Sequence, residues 1–160
     1  DSLMKLEDIV ASEFDDRLTG NSGNNSLVGR KGNDRIFGLA GNDLLIGSMG
    51  ADTLNGGAGS DRFAYFSPDE GGDRIDGFAV GKDKILAASS AFCGGLSMGE
   101  LAARSFVIGN AATNSDQRFI FDDASSKLFF DVDGNGAADK QLIAVLDGVS
   151  NLSAGDIQIL

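Results

Sequence analysis

The chain has no histidine and no tryptophan, and one cysteine and one proline among its 160 residues. Without histidine no Ser-His or Cys-His nucleophile pair can form, and Cys93 alone leaves the common zinc ligand sets out of reach. A single thiol closes no internal disulfide, so cysteine usage reports no redox compartment. Within AFCGG, Cys93 is expected to be a small buried residue. No apolar run approaches the roughly 18 residues of a membrane span, and the first residues carry no signal-peptide pattern. Export would then use a route that needs no N-terminal signal. Basic residues are also scarce: 13 Lys and Arg stand against 24 Asp and Glu, a net charge of −11. That balance disfavours nucleic acid and anionic membrane and suits a solvated surface or a sink for cations.

Glycine is abundant, 23 residues, and it is placed at a period of nine. GNSGNNSLV (20–28), GRKGNDRIF (29–37), GLAGNDLLI (38–46), GSMGADTLN (47–55) and GGAGSDRFA (56–64) follow one another without a gap. ASEFDDRLT (11–19) is a worn copy that keeps Asp16 and Leu18 but has Phe14 where a turn glycine belongs. Position six is Asp in four full copies and Asn25 in one; position eight is always a large apolar residue. An α-helix would scatter a nine-residue stripe around its surface. Six turn residues and three extended ones form instead a half-coil, and two half-coils bring the chain back after 18 residues. The apolar residues then stack inside a parallel β-solenoid that no single repeat could stabilise alone.

Stacking at 18 residues places Asp34 over Asp52 and Asp43 over Asp61. Such close like charges destabilise the fold unless they are neutralised. Carboxylates with carbonyls from glycine turns form an all-oxygen donor set that suits Ca²⁺ better than Mg²⁺.

These nonapeptides resemble the RTX (repeats-in-toxin, haemolysin-type) calcium-binding family, strongly over 20–64 and weakly over 11–19. The resemblance implies ions between same-side turns, each held by two position-six side chains and by turn carbonyls. One expected set is Gly29, Lys31 and Asp34 with Ser48, Gly50 and Asp52; another is Gly38, Ala40 and Asp43 with Gly57, Gly59 and Asp61. Asn25 with Asp43 would form a weaker site for want of one charge, and Asp16 with Asp34 a worn one. DRIDGFAVGKDKI (73–85) is similar to the segment that closes the roll in secreted serralysin-type proteases, so Asp69, Glu70, Asp73 and Asp76 are candidates for closing the last site. The closing GDIQIL resembles the ends of type I secretion substrates.

Beyond the repeats, runs at 105–108, 117–121, 127–132, 140–146 and 156–160 predict strands. Ser97 and Glu100 have capping-box spacing, which predicts a short helix. Leu3, Leu6, Ile9 and Val10 share one helical face and predict a capping segment over 1–10. In DVDGNGAAD, Asp131, Asp133, Asn135 and Asp139 fall at positions one, three, five and nine of an EF-hand-like loop with Gly136 at six, but Leu142 stands at twelve. A polar hairpin turn and a weak calcium loop both remain open there. The expected architecture is all-β: a parallel, calcium-stacked β-roll over 11–64, then an antiparallel β cap with one short helix over 65–160, the latter also secretion-associated.

By resemblance, the chain is a secreted, extracellular calcium-binding module with no catalytic residues, folding on Ca²⁺ after passage through the type I secretion machinery. The alternative is an adhesive or carbohydrate-binding module for anionic polysaccharide. Its footprint would be a basic or aromatic row, yet along the sequence Arg17, Arg30, Lys31, Arg35 and Arg62 look scattered. No carboxylate pair stands out for glycoside hydrolysis. Position three reads Ser22, Lys31, Ala40, Met49 and Ala58, without the threonine array that ice binding needs.

Overall fold

The structure, a computed structural model, describes residues 8–92, 95–135 and 138–160. Cys93 and Gly136 lie outside the described residues. Two sheets face one another across one core. The first has the order β1-β3-β5-β7-β9-β15-β10. Its strands are Asp8–Val10 (β1), Ser26–Lys31 (β3), Leu44–Met49 (β5), Arg62–Tyr65 (β7), Lys84–Ala87 (β9), Ile157–Ile159 (β15) and Gly99–Glu100 (β10). The second has the order β11-β12-β13-β14-β8-β6-β4-β2. It comprises Phe106–Ile108 (β11), Phe119–Asp122 (β12), Lys127–Phe130 (β13), Gln141–Asp147 (β14), Asp73–Asp76 (β8), Thr53–Ala58 (β6), Arg35–Ala40 (β4) and Arg17–Thr19 (β2).

Odd-numbered strands feed one sheet and even-numbered strands the other through β9, as half-coils require. The register follows the repeat. Leu27 pairs with Leu45 and Leu45 with Phe63, while Leu18 pairs with Ile36 and Ile36 with Leu54. All six are buried. At about 1.5–3 kcal/mol for each large side chain removed from water, this stripe is the main source of cohesion inside the roll. It does not stop at residue 64: Leu54 pairs with Ile75, and Phe63 with Ile85, which pairs in turn with Ile157.

Three expectations need correction. Asp8–Val10 is a strand, with Ile9 paired to Leu27, not part of a helix; Ile9 satisfies both the helical spacing and position eight of a nonapeptide, and sheet pairing wins. The remainder of that predicted capping segment, residues 1–7, lies outside the described residues. The expected helix at Ser97 is absent, because Gly99 in its first turn has φ 108°, far from helical values. Gly99 and Glu100 pair with β15 instead, and a single 3₁₀ turn follows at Ala103–Ser105. Capping boxes do close the 3₁₀ turns at Pro68–Glu70, from Ser67, and at Ala154–Asp156, from Ser153.

The cap contains the expected antiparallel strands, β12 on β13 and β13 on β14. It is joined to the roll by parallel pairs, β14 on β8 and β15 on β9. Each sheet of the roll is thus continued rather than merely covered. Phe92, Phe119 and Phe130 cluster behind this junction, with ring centroids 4.9–5.9 Å apart.

Candidate metal sites

The glycines of each turn have two separate tasks. At position four, Gly32, Gly41, Gly50 and Gly59 have φ between 110° and 148°, where a side chain is strained. At position one the requirement is space. A Cβ on Gly38 would lie 2.6 Å from Gly56 O and still closer to Asp43 Oδ2; one on Gly29 would meet Gly47 O at 2.8 Å and Asp34 Oδ2. Position two also turns left-handed, yet three copies carry a side chain there: Arg30, Leu39 and Ser48, with φ 82°, 81° and 72°. Such residues cost roughly 1–2 kcal/mol each, so neighbouring turns hold them in place.

The room left by glycine is filled by carboxylates. Asp34 Oδ1 accepts the Asp16 N–H at 2.8 Å, Asp52 Oδ1 accepts from Asp34 at 2.7 Å, and Asp73 Oδ1 from Asp52 at 2.9 Å. On the opposite edge Asp43 accepts from Asn25 at 2.7 Å, Asp61 from Asp43 at 2.9 Å, and Asp83 from Asp61 at 2.9 Å. Every aspartate therefore reaches back to the main chain of the preceding turn. Each of Asp34, Asp43, Asp52, Asp61 and Asp73 keeps its Oδ2 buried and without a hydrogen-bond partner. Five orphaned carboxylate oxygens in one small fold are expensive. Burial pushes all five acids up, opposed by the N–H each accepts. Asp52 rises to about 6. Asp73 rises to about 8, with the Asp52 charge adding to its burial. The fully buried Tyr65 hydroxyl faces Asp73 without a well-formed hydrogen bond, and burial raises it further.

Main-chain oxygens complete the surroundings. The carbonyls of Gly32, Leu39 and Gly41 lie against the following turn, beside Gly50, Gly57 and Gly59. Those of Gly47 and Gly56 lie against the preceding turn, and Met49 O and Ala58 O accept from Gly32 and Gly41. Carbonyls therefore alternate as expected, but in the reverse sense. Even positions face forward and odd positions back, because the position-three carbonyl is drawn into the ladder by the N–H of the turn before it. By this alternation Gly29, Lys31, Gly38 and Ala40 face the turns of Asp16 and Asn25, and Ser48, Gly50, Gly57 and Gly59 those of Asp73 and Asp83.

Among the described residues no three acidic or thiol side chains converge on one point, so a cation here would be held by paired carboxylates and carbonyls. That donor set is all oxygen, charged and buried, and it fits Ca²⁺.

The worn positions differ as a group. Asp16 accepts from Ser12 N at 2.8 Å and from Ser12 Oγ at 2.6 Å, which lowers its pKa. Asn25 Oδ1 accepts from Asn21 N at 2.8 Å. These side chains are already engaged with their own turn. Phe14 points outward and is 78% exposed. Asp73 joins the ladder, but Asp76 is drawn away by Arg74 at 2.7 Å. Asp69 accepts from Gln141, and Glu70 caps its own turn through Phe66 N. In the 131–139 loop, buried Asp131 accepts from Asp133 N at 3.2 Å and Asp133 from Ala138 N at 3.1 Å, while Asn135 and Asp139 are exposed.

Two features escaped the sequence analysis. Asp83 closes one ladder, and its Oδ2 accepts from Ala79 N at 2.8 Å; the triplet Asp83-Lys84-Ile85 repeats the Asp-x-apolar signal of the nonapeptides. A second ladder runs at position five in the opposite sense. Asp15 and Asn33 accept from Asn33 and Ala51 on one edge, and Asn24 and Asn42 from Asn42 and Ser60 on the other, at 2.7–2.9 Å.

Fold and site together define a parallel β-roll of the cation-stacked class. The model of the RTX calcium-binding nonapeptide repeat (4 copies) matches residues 10–45 and 29–63. The chain is similar to the AlgE6R3 subunit from the Azotobacter vinelandii mannuronan C5-epimerase, at 30% identity and TM-score 0.60, over 93% of this chain and 80% of that one. The AlgE6R2 subunit of the same enzyme shares the fold at 24% identity and TM-score 0.58, over 93% and 90%. No curated protein sequence matches. The chain belongs to the RTX calcium-binding nonapeptide repeat family.

Proposed function

We propose that this chain is a calcium-gated folding module of a secreted bacterial-type exoprotein, in which it stabilises and caps the C-terminal part. The five buried Oδ2 atoms without partners carry the proposal. Ions belong in the gaps with such an oxygen on both sides: Asp34 with Asp52, Asp52 with Asp73, and Asp43 with Asp61. The gaps that begin at Asp16 and Asn25 or end at Asp83 hold weaker sites, because one side chain there serves its own turn. The 131–139 loop is a polar hairpin, its carboxylates occupied by its own main chain.

Without calcium the stacked carboxylates are desolvated with nothing to compensate them, and the glycine turns lose backbone entropy on ordering. At calcium near 100-fold above a site's dissociation constant, each ion contributes about 2.7 kcal/mol. Three ions approach the ~5–15 kcal/mol of a typical domain. Low cytosolic calcium would then keep the chain unfolded for the type I export machinery, and external calcium would fold it. The likeness to repeat subunits of a larger enzyme supports an accessory role, without a bond-making step of its own.

Circular dichroism with and without a chelator tests this. Loss of β signal in chelator, restored by Ca²⁺, is expected; full β signal and an unchanged melting temperature in chelator would sink it.

A further inference from the structure

The cations that look scattered along the sequence are aligned by the register of the second sheet. On its outer face Arg17 pairs with Arg35, Arg35 with Thr53, and Thr53 with Arg74. Arg74 pairs with Val145, and Val145 with Lys127. One straight row across six strands thus carries three arginines and a lysine. The parallel row beside it holds Thr19, Phe37 and Asn55 over the roll. Arg17 lies over the Phe37 ring at 4.8 Å from its centroid. Arg17 and Arg35 are exposed, and among the described residues neither makes an ion pair. Arg74 is shared with Asp76 and Asp147, both at 2.7 Å, so the open cationic part is the roll half of the face.

We propose that this face binds a linear acidic polysaccharide, laid across the strands along the row from Arg17 to Lys127. Spacing and charge favour this occupant. Neighbouring strands are about 4.8 Å apart, so Arg35, Arg74 and Lys127, each two strands from the next, repeat at roughly 9–10 Å. An extended β-linked uronate chain with a twofold screw presents its same-side carboxylates at every second sugar, on a closely similar pitch. Guanidinium groups take carboxylates bidentately. Phe37 offers a flat apolar surface to a sugar ring, and Thr19, Thr53 and Asn55 offer hydrogen bonds to its hydroxyls. A nucleic acid carries denser charge and would meet the field of a chain with net charge −11, which a short single row does not overcome.

The test is fluorescence anisotropy of a labelled β-1,4-oligoglucuronate long enough to span the row, titrated with the calcium-saturated full chain. Circular dichroism of the same samples shows that the roll is folded, so failure to bind is separable from failure to fold. Wild type should bind in a salt-dependent manner. Arg17→Gln with Arg35→Gln should weaken binding about tenfold or more and reduce the log–log salt slope by about two. The double lysine variant should keep that slope, and Arg62→Gln, on the opposite sheet, should bind as wild type does. Absence of wild-type binding would overturn the proposal. So would a double glutamine variant that binds like wild type, the result expected if calcium merely bridges sugar and roll. Equal or tighter binding of a single-stranded oligonucleotide would reassign the face.

Discussion

Gly38 and Asp43 show what a single residue controls in this roll. A Cβ at position 38 would occupy the space held by the unpartnered oxygen of Asp43 and the carbonyl of Gly56. The strain of the wrong φ is not involved, since Gly38 is not left-handed; the obstacle is a filled ligand pocket. Gly38→Ala should therefore raise the calcium concentration at the folding midpoint by about tenfold, some 1.4 kcal/mol. The calcium-free chain should be almost unaffected, because its turns are unfolded before and after. A titration followed by circular dichroism measures both. Glycine at position one was legible in the sequence, but its reason was not: backbone freedom and room for a neighbour's oxygen leave the same letter.

At the scale of the element, each turn is fastened twice. Position-six aspartates reach back to the previous turn, and position-five Asp or Asn side chains receive from the next. The outer fastening is exposed and needs no ion. Asn42→Ala removes the acceptor for Ser60 N–H and should lower the stability of the calcium-bound roll by about 0.5–1.5 kcal/mol. The number of bound ions, counted by calorimetry, should stay unchanged; a lost ion would mean that position five shapes the calcium site directly. The same scale explains the helix expected at Ser97. Spacing alone favoured it, and one left-handed glycine in the first turn sent the chain into sheet pairing.

For the whole molecule, the raised carboxylates tie folding to pH. The pKa values of Asp52 and Asp73, about 6 and about 8, lie above the ordinary carboxylate value near 3.9. The folded, calcium-free roll therefore binds more protons than the unfolded chain. Its stability is fully present below the ordinary value and is lost as pH rises through about 6 and then about 8. Metal-stripped protein should be most ordered in mild acid, near pH 5, and least ordered near pH 9. Calcium must displace the same protons, so the calcium midpoint should rise as pH falls across that window. Midpoints at several pH values decide this, and a midpoint independent of pH would refute it.

The sequence by itself determined the period, the inward stripe from Leu18 to Phe63, and the four aspartates that stack at 18 residues, because these depend only on offsets within one repeat. Tertiary structure decided what lies beyond the period. Asp73 and Asp83 stand 21 and 22 residues after their partners, and loops inserted before them hide the alignment that the sheet restores. Which carboxylates stay unpartnered depends on whether Ser12 or Asn21 reaches into its own turn, and the sense of the carbonyls depends on strand pairing. The arginine row has the same origin. Arg17 and Arg35 are one period apart, but Arg74 and Lys127 join them only because β8 and β13 extend the same sheet, and pairing across that distance is a property of the folded chain alone.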